Sequence, residues 1–232
     1  MWSPWVKGTP VAAGVGGPFV AGPHAAIAGS GTAACGPTTA INTAAAPAAK
    51  LIVVYVANYA TSTGTNVLSD SLSNTWGTPD ISYDPSNGGY KILVYHVYAP
   101  AVGASHTFTF TGNYCALFVA TFSGGSATPG KDQTNSNINL TSGLSSWPNA
   151  TATPQASNEL VVVGIQFGTT AGTINSISAP FTITDTVPYV NSTTSYGGSF
   201  AYQIQGTTAA LANPTWTGNA NQTPVTMIAT YK

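Results

Sequence analysis

From Lys50 onward the chain is a succession of short runs rich in β-branched and aromatic residues. Turn formers close each run, and no helical apolar period of useful length interrupts them. Segments 51–59, 90–98, 106–111, 114–122, 159–167, 181–185, 199–205 and 225–231 read as strands, with a weaker one over 67–76. Asp84-Pro85-Ser86-Asn87-Gly88-Gly89, Gly112-Asn113, Ser123-Gly124-Gly125 and Tyr196-Gly197-Gly198 supply breaks between them. Strands without helices bury their apolar faces against one another. Residues 50–232 are therefore expected to form one all-β domain, a two-sheet antiparallel sandwich of either jelly-roll or immunoglobulin-like connectivity.

The runs are of two kinds. In His106-Thr107-Phe108-Thr109-Phe110-Thr111 three threonines alternate with a histidine and two phenylalanines, the signature of a strand with one wet face. Segments 51–59 and 114–122 are instead apolar on both faces. In an antiparallel sandwich such a strand needs a cover over its outer face. Either the chain's own arm and loops or a neighbouring subunit would serve.

Residues 1–49 differ from the rest. Six prolines and a high content of glycine and alanine deny them both a helix interior and a regular alternation, so they are expected to be an extended N-terminal arm. Trp2, Trp5 and Phe19 are large apolar groups for a free tail and are read as assembly contacts along a neighbour. Residues 123–158, rich in Gly, Ser, Thr and Asn, are expected to loop over one rim of the sandwich.

Charged residues make up only 5 % of the chain, none of them arginine, and the net charge is −1. Five scattered lysines cannot form the basic stripe that neutralises phosphates, so nucleic acid is excluded as a partner. No apolar run is long enough to span a bilayer, and no membrane insertion is expected. The start, Met1-Trp2-Ser3-Pro4-Trp5-Val6-Lys7, lacks a basic segment followed by an unbroken apolar one, which points to a protein made and assembled in a cytoplasm. Cys35 and Cys115 fit no metal spacing, and a disulfide and two buried thiols are equally compatible with them.

Candidate chemistry is sparse. His24 lies in the arm, and His96 and His106 lie inside strands, where a hydrogen-bonded structural role is the expectation. No nucleophile elbow, zinc-protease motif or phosphate loop occurs, so no enzymatic activity and no cofactor are expected. Asp70, Asn74, Asp80 and Asp84 are the one cluster with calcium-ligand chemistry, without an EF-hand pattern. Trp147, Tyr189 and Tyr196 fall in or beside segments rich in Asn and Thr. They are the candidate ligand-contact aromatics, since rings offer flat apolar surface to a sugar while amides orient it. Trp76 and Trp216 are read as caps on the ends of the sandwich.

Several segments resemble a β-sandwich domain of bacteriophage virion proteins and some bacterial surface proteins. They are Ser69-Asp70-Ser71-Leu72-Ser73-Asn74-Thr75-Trp76, Ser105-His106-Thr107-Phe108, Phe122-Ser123-Gly124, Asn158-Glu159-Leu160-Val161-Val162, Ala201-Tyr202-Gln203-Ile204 and Asn213-Pro214-Thr215-Trp216. The resemblance spans roughly 50–232 and implies neither a cofactor nor a catalytic residue. Taken with the two-faced strands, the arm and the low charge, it leads to the expectation of a virion structural protein. A capsid decoration or other virion-surface protein would assemble as a homo-oligomer on the capsid shell in the host cytoplasm. The alternative is an extracellular carbohydrate-binding adhesin or tail-fibre module that contacts host glycans.

Overall fold

The computed structural model describes residues 17–29, 31, 34–59, 66–85, 89–126, 129–139, 141, 143–167, 173–189, 197–206, 212–219 and 223–232. Among these residues the chain is all-β and antiparallel, with no helix. The first half holds β1 (Val20–Ala28), β2 (Leu51–Tyr59), β3 (Leu68–Asp70), β4 (Ile81–Tyr83), β5 (Tyr90–Tyr98), β6 (Phe108–Phe110) and β7 (Ala116–Ser123). The second holds β8 (Lys131–Ile138), β9 (Ser146–Pro148), β10 (Leu160–Phe167), β11 (Ile174–Ile177), β12 (Thr182–Val187), β13 (Gly197–Ile204), β14 (Thr215–Gly218) and β15 (Val225–Tyr231).

Two five-stranded sheets, in the orders β1-β7-β2-β5-β4 and β12-β13-β10-β15-β8, pack face to face. Period-two alternation divides their side chains between layers. Leu51, Val53, Tyr55 and Ala57 of β2 meet Phe118, Phe122, Phe200, Met227 and Tyr231 in a central core between the sheets. Ile52, Val54 and Val56 of the same strand point the other way, into a second core with Phe108, Phe110, Leu117 and Val119. On the far side Val161, Val163 and Ile165 of β10 build a third core with Trp147 and Trp216. Small sheets roof the two outer cores: β3-β6 over one and β11-β14-β9 over the other.

The strands that are apolar on both faces are therefore covered by their own chain. A strap over residues 35–49 completes the first roof. Cys35 bridges to Phe110 and Ile41 to His106, so the strap lies beside β6 as β9 lies beside β14. A disulfide joins Cys35 to Cys115, with Cα atoms 5.9 Å apart, and ties the strap to the start of β7.

The expected extended arm is corrected where it is described. Residues 20–28 form β1, a full edge strand paired along β7. Gly22 and Pro23 disguise it in the sequence, but they sit where the register shifts between Ala21 and His24, and a bulged edge strand tolerates both. A Cβ at Gly22 would meet the Thr121 hydroxyl at 2.7 Å, and that hydroxyl donates to the Pro23 carbonyl. The expected rim loop over 123–158 is likewise corrected: it contains β8, a polar edge strand paired with β15, and β9 in the second roof.

The described residues fall into two halves of the same construction. In chain order β1, the strap, β2, β3, β4, β5, β6 and β7 correspond to β8, β9, β10, β11, β12, β13, β14 and β15, and both large sheets follow one strand order under this correspondence. Local chemistry repeats as well. The Ser71 amide donates to the Thr107 carbonyl while the Thr107 amide donates to the Ser71 hydroxyl, and Ser178 and Thr215 make the same two bonds. In the same register Phe108-Thr109 matches Trp216-Thr217, and Ala120-Thr121-Phe122 matches Ala229-Thr230-Tyr231.

Strand β1 faces β12, β4 faces β8 and β2 faces β10, as an approximate two-fold between the halves requires. The central core departs from this symmetry most plainly at its centre. Tyr55 of β2 and Gly164 of β10 occupy matching positions, and a Cβ on Gly164 would stand 2.9 Å from the Tyr55 ring. The glycine makes room for one large ring where two would collide.

Candidate functional site

Of the sequence-predicted contact residues, Phe19 packs in the central core, whereas Trp147 and Tyr189 belong to the third core. Trp2, Trp5 and Tyr196 lie outside the described residues. Phe19 is buried within its own chain, edge-on to Phe122 with ring centroids 6.4 Å apart and close under Gly125. Its reading as a contact with a neighbour is corrected, because the chain folds back along β7 before it could reach one. Trp147 is also corrected as a ligand-contact ring. It is fully buried opposite Trp216 across β9 and β14, where apolar area is worth more in the roof than at a surface. The Trp216 indole donates to Asn149 Oδ1 at 2.9 Å. Tyr189 is half-buried against the third core.

The described polar chemistry converges instead on three histidine–aspartate pairs. His106 and Asp70 are both buried, with Nε2 2.9 Å from Oδ1, and the other ring nitrogen lies 3.2 Å from the Thr43 hydroxyl. Asp70 also accepts from the Trp76 indole at 2.6 Å and from the Leu72 amide at 2.8 Å. Burial pushes this carboxyl up, but those donors outweigh it and hold Asp70 below the ordinary carboxylate range. The cluster stitches the strap, β3 and the connection after it to the strand β6.

The second pair stands where the two halves meet along β4 and β8. Asp80 Oδ2 lies 2.6 Å from His96 Nδ1 and accepts from the Tyr231 hydroxyl at 2.8 Å, while Lys131 approaches Oδ1 at 3.5 Å. Burial raises Asp80, and His96, Tyr231 and Lys131 together bring it below its usual value. The third pair, His24 with Asp185 at 2.8 Å, links β1 to β12 along the opposite seam. Thus Asp80 and Asp185 each tie one half to the other. Asp70 and Asn74 serve the first roof while Asp80 serves the seam, so the residues with calcium-ligand chemistry do not share a centre. Among the described residues no group of three or more His, Cys, Asp or Glu side chains is placed to hold a metal ion.

These pairings were not legible in sequence, since the partners lie 16, 36 and 161 residues apart and no spacing marks them. What such dyads can do depends on their neighbours. A histidine oriented by an aspartate becomes a general base when a hydroxyl or thiol stands at its other nitrogen. Among the described residues the Thr43 hydroxyl meets that condition, and it is buried with His106 and also bonds the Gly103 backbone.

Hollows open at the surface among the described residues. One of about 250 Å³ lies over the β1–β12 seam between His24, Thr121, Thr184 and Tyr202. A second, about 280 Å³, is bounded by Lys50, Tyr98 and Pro129 beside the junction of the halves. A third, about 270 Å³, lies in the second half between the β11–β12 connection and the ends of β13 and β14. No family model, curated protein or solved structure matches the chain.

Proposed function

We propose that the protein is a non-enzymatic structural component of a virion exterior, a capsid decoration or comparable surface protein that assembles with copies of itself and with the shell. The observation that carries this reading is how the few ionisable groups are used. Every histidine is engaged by an aspartate, and the groups around these pairs fasten the strap to β6 through Thr43 and one half to the other through His24–Asp185 and through Asp80 with Tyr231. Side chains able to do chemistry act as struts. The resemblance of 50–232 to virion β-sandwiches supplies the setting.

Within the same proposal each half is a jelly roll. Counting the strap as the second of eight strands, the large sheet runs 1-8-3-6-5 and the roof 2-7-4, which supports that class over the immunoglobulin-like one. The disulfide supports a working life outside a reducing cytoplasm, whether on a released particle or in the extracellular medium.

Because the apolar faces are roofed internally, assembly contacts would be made by sheet edges and by the segment carrying Trp2 and Trp5 rather than by bare sheets. The test is removal of residues 1–16, leaving β1 intact, followed by native mass measurement and co-sedimentation with the particle. Loss of association with unchanged thermal stability is the expected result. A truncated chain that associates as tightly as the parent overturns the assembly role of this segment. The second reading, an adhesin or tail-fibre module, is favoured by the uncharged hollow of the second half rather than by Trp147.

A further inference from the structure

The two halves treat one place differently. After Ser71 the first half takes the long connection 72–80 before β4, whereas after Ser178 the second half reaches β12 through 179–181 alone. The long connection is folded inward. Trp76 and the Leu72 amide bond Asp70, and Asn74 bonds the backbone of Ala101 in both directions. His106, at the foot of this plug, has Pro214 as its counterpart one residue before the matched Thr215. Among the described residues the second half has no counterpart of the Trp76 plug, and the hollow of about 270 Å³ opens there.

Its lining is chemically specific. Gln203 and Gln205 come from β13 and the residues just beyond it, Asn213 from the lead into β14, and Ser178, Pro180 and Phe181 from the short connection. None of the lining residues carries a charge. Each carboxamide presents a donor and an acceptor side by side, which matches the paired hydroxyls of a sugar. Phe181 and Pro180 provide apolar surface for the C–H face of a pyranose ring. A uronic or sialic carboxylate would find no cation. The hollows lined by His24 and by Lys50 lack this combination.

We infer that this hollow is a binding subsite for a neutral glycan, one sugar residue deep, with Gln203 and Asn213 reading its hydroxyls. The inference concerns the second half alone and does not depend on whether the protein is assembled on a particle.

The test is an array of neutral and anionic glycans probed with the full chain, followed by calorimetry with the methyl glycoside of the best ligand. Retention of neutral glycans is expected, with a dissociation constant of about a millimolar for a single sugar. Asn213→Ala, at an exposed position, and Gln203→Ala should each weaken binding about tenfold or more, while Asn137→Ala on the distant strand β8 leaves it unchanged. Should Gln203→Ala lower the melting temperature, Asn213→Ala alone decides. Three results overturn the inference: no neutral glycan bound at about 10 mM, preference for anionic glycans, or Asn213→Ala binding as well as the parent. None of these bears on particle association, which the truncation reads separately.

Discussion

At the scale of single residues the molecule places a few polar groups under heavy constraint. Tyr55 is buried at the centre, stacked 5.3 Å from Phe118 and 5.8 Å from Phe200, and its hydroxyl has no hydrogen-bond partner among the described residues. Tyr55→Phe removes an unsatisfied group without creating a void and should stabilise the fold by about 1 kcal/mol, read from the urea midpoint. The carboxylates set the acid limit. Asp70 and Asp80 titrate below their ordinary values, so the stability they lend is full above about pH 5 and is lost as pH falls through those lowered values. Glu159 runs the other way. Burial and the nearby Asp132 charge raise it despite a bond from the Ala156 amide, so it favours the fold when protonated and that contribution fades as pH climbs past its value. Burial also holds Tyr55 and Tyr231 well above the usual phenol range, so they add no loss until strongly alkaline pH. Urea midpoints should be nearly level from about pH 5 to 9 and fall on both sides. The one shallow step, from Glu159, should vanish in Glu159→Gln. A steep fall inside that window would contradict this assignment.

At the scale of elements, burial on both faces decided what could be read in advance. Segments 51–59, 90–98 and 225–231 were expected as strands and coincide with β2, β5 and β15, because continuous β-branched and aromatic runs have no other stable use. The roof and edge strands carry weaker signals. β8 is Lys-Asp-Gln-Thr-Asn-Ser-Asn-Ile, a composition that reads as a loop, and only its pairing with β15 makes it a strand. β9, β11 and β14 are three or four residues long, too short for alternation to register. The same brevity hid Trp147, since a ring flanked by Ser, Pro and Asn looks like rim until its roof is known. Cys35 and Cys115 were open to either state by spacing, and it is the strap lying beside β6 that brings them together. Because the bond closes a long loop, replacing both with serine should lower stability by about 2–4 kcal/mol in chemical denaturation. An unchanged midpoint would show that the strap is held by its backbone bridges alone.

At the scale of the whole molecule, the central core belongs to neither half. Phe118 from one and Phe200 and Met227 from the other fill it jointly, and the two seams add Asp80 with Tyr231 and His24 with Asp185. Neither half can leave without exposing an entire sheet. Thermal unfolding should therefore be one transition, with indole fluorescence, to which the buried Trp147 and Trp216 of the second half contribute, coinciding with far-ultraviolet dichroism of the whole. Two resolved transitions would mean that the halves are independent.

The joining of both halves in one chain has one further result. In a true pair of identical subunits any substitution appears twice, so a plug and an opening could never coexist at equivalent places. A covalently joined pair is free of that bond. One half closes its rim with Trp76 while the other has Gln203 and Asn213 at an open one, so one chain holds two different rims on one scaffold.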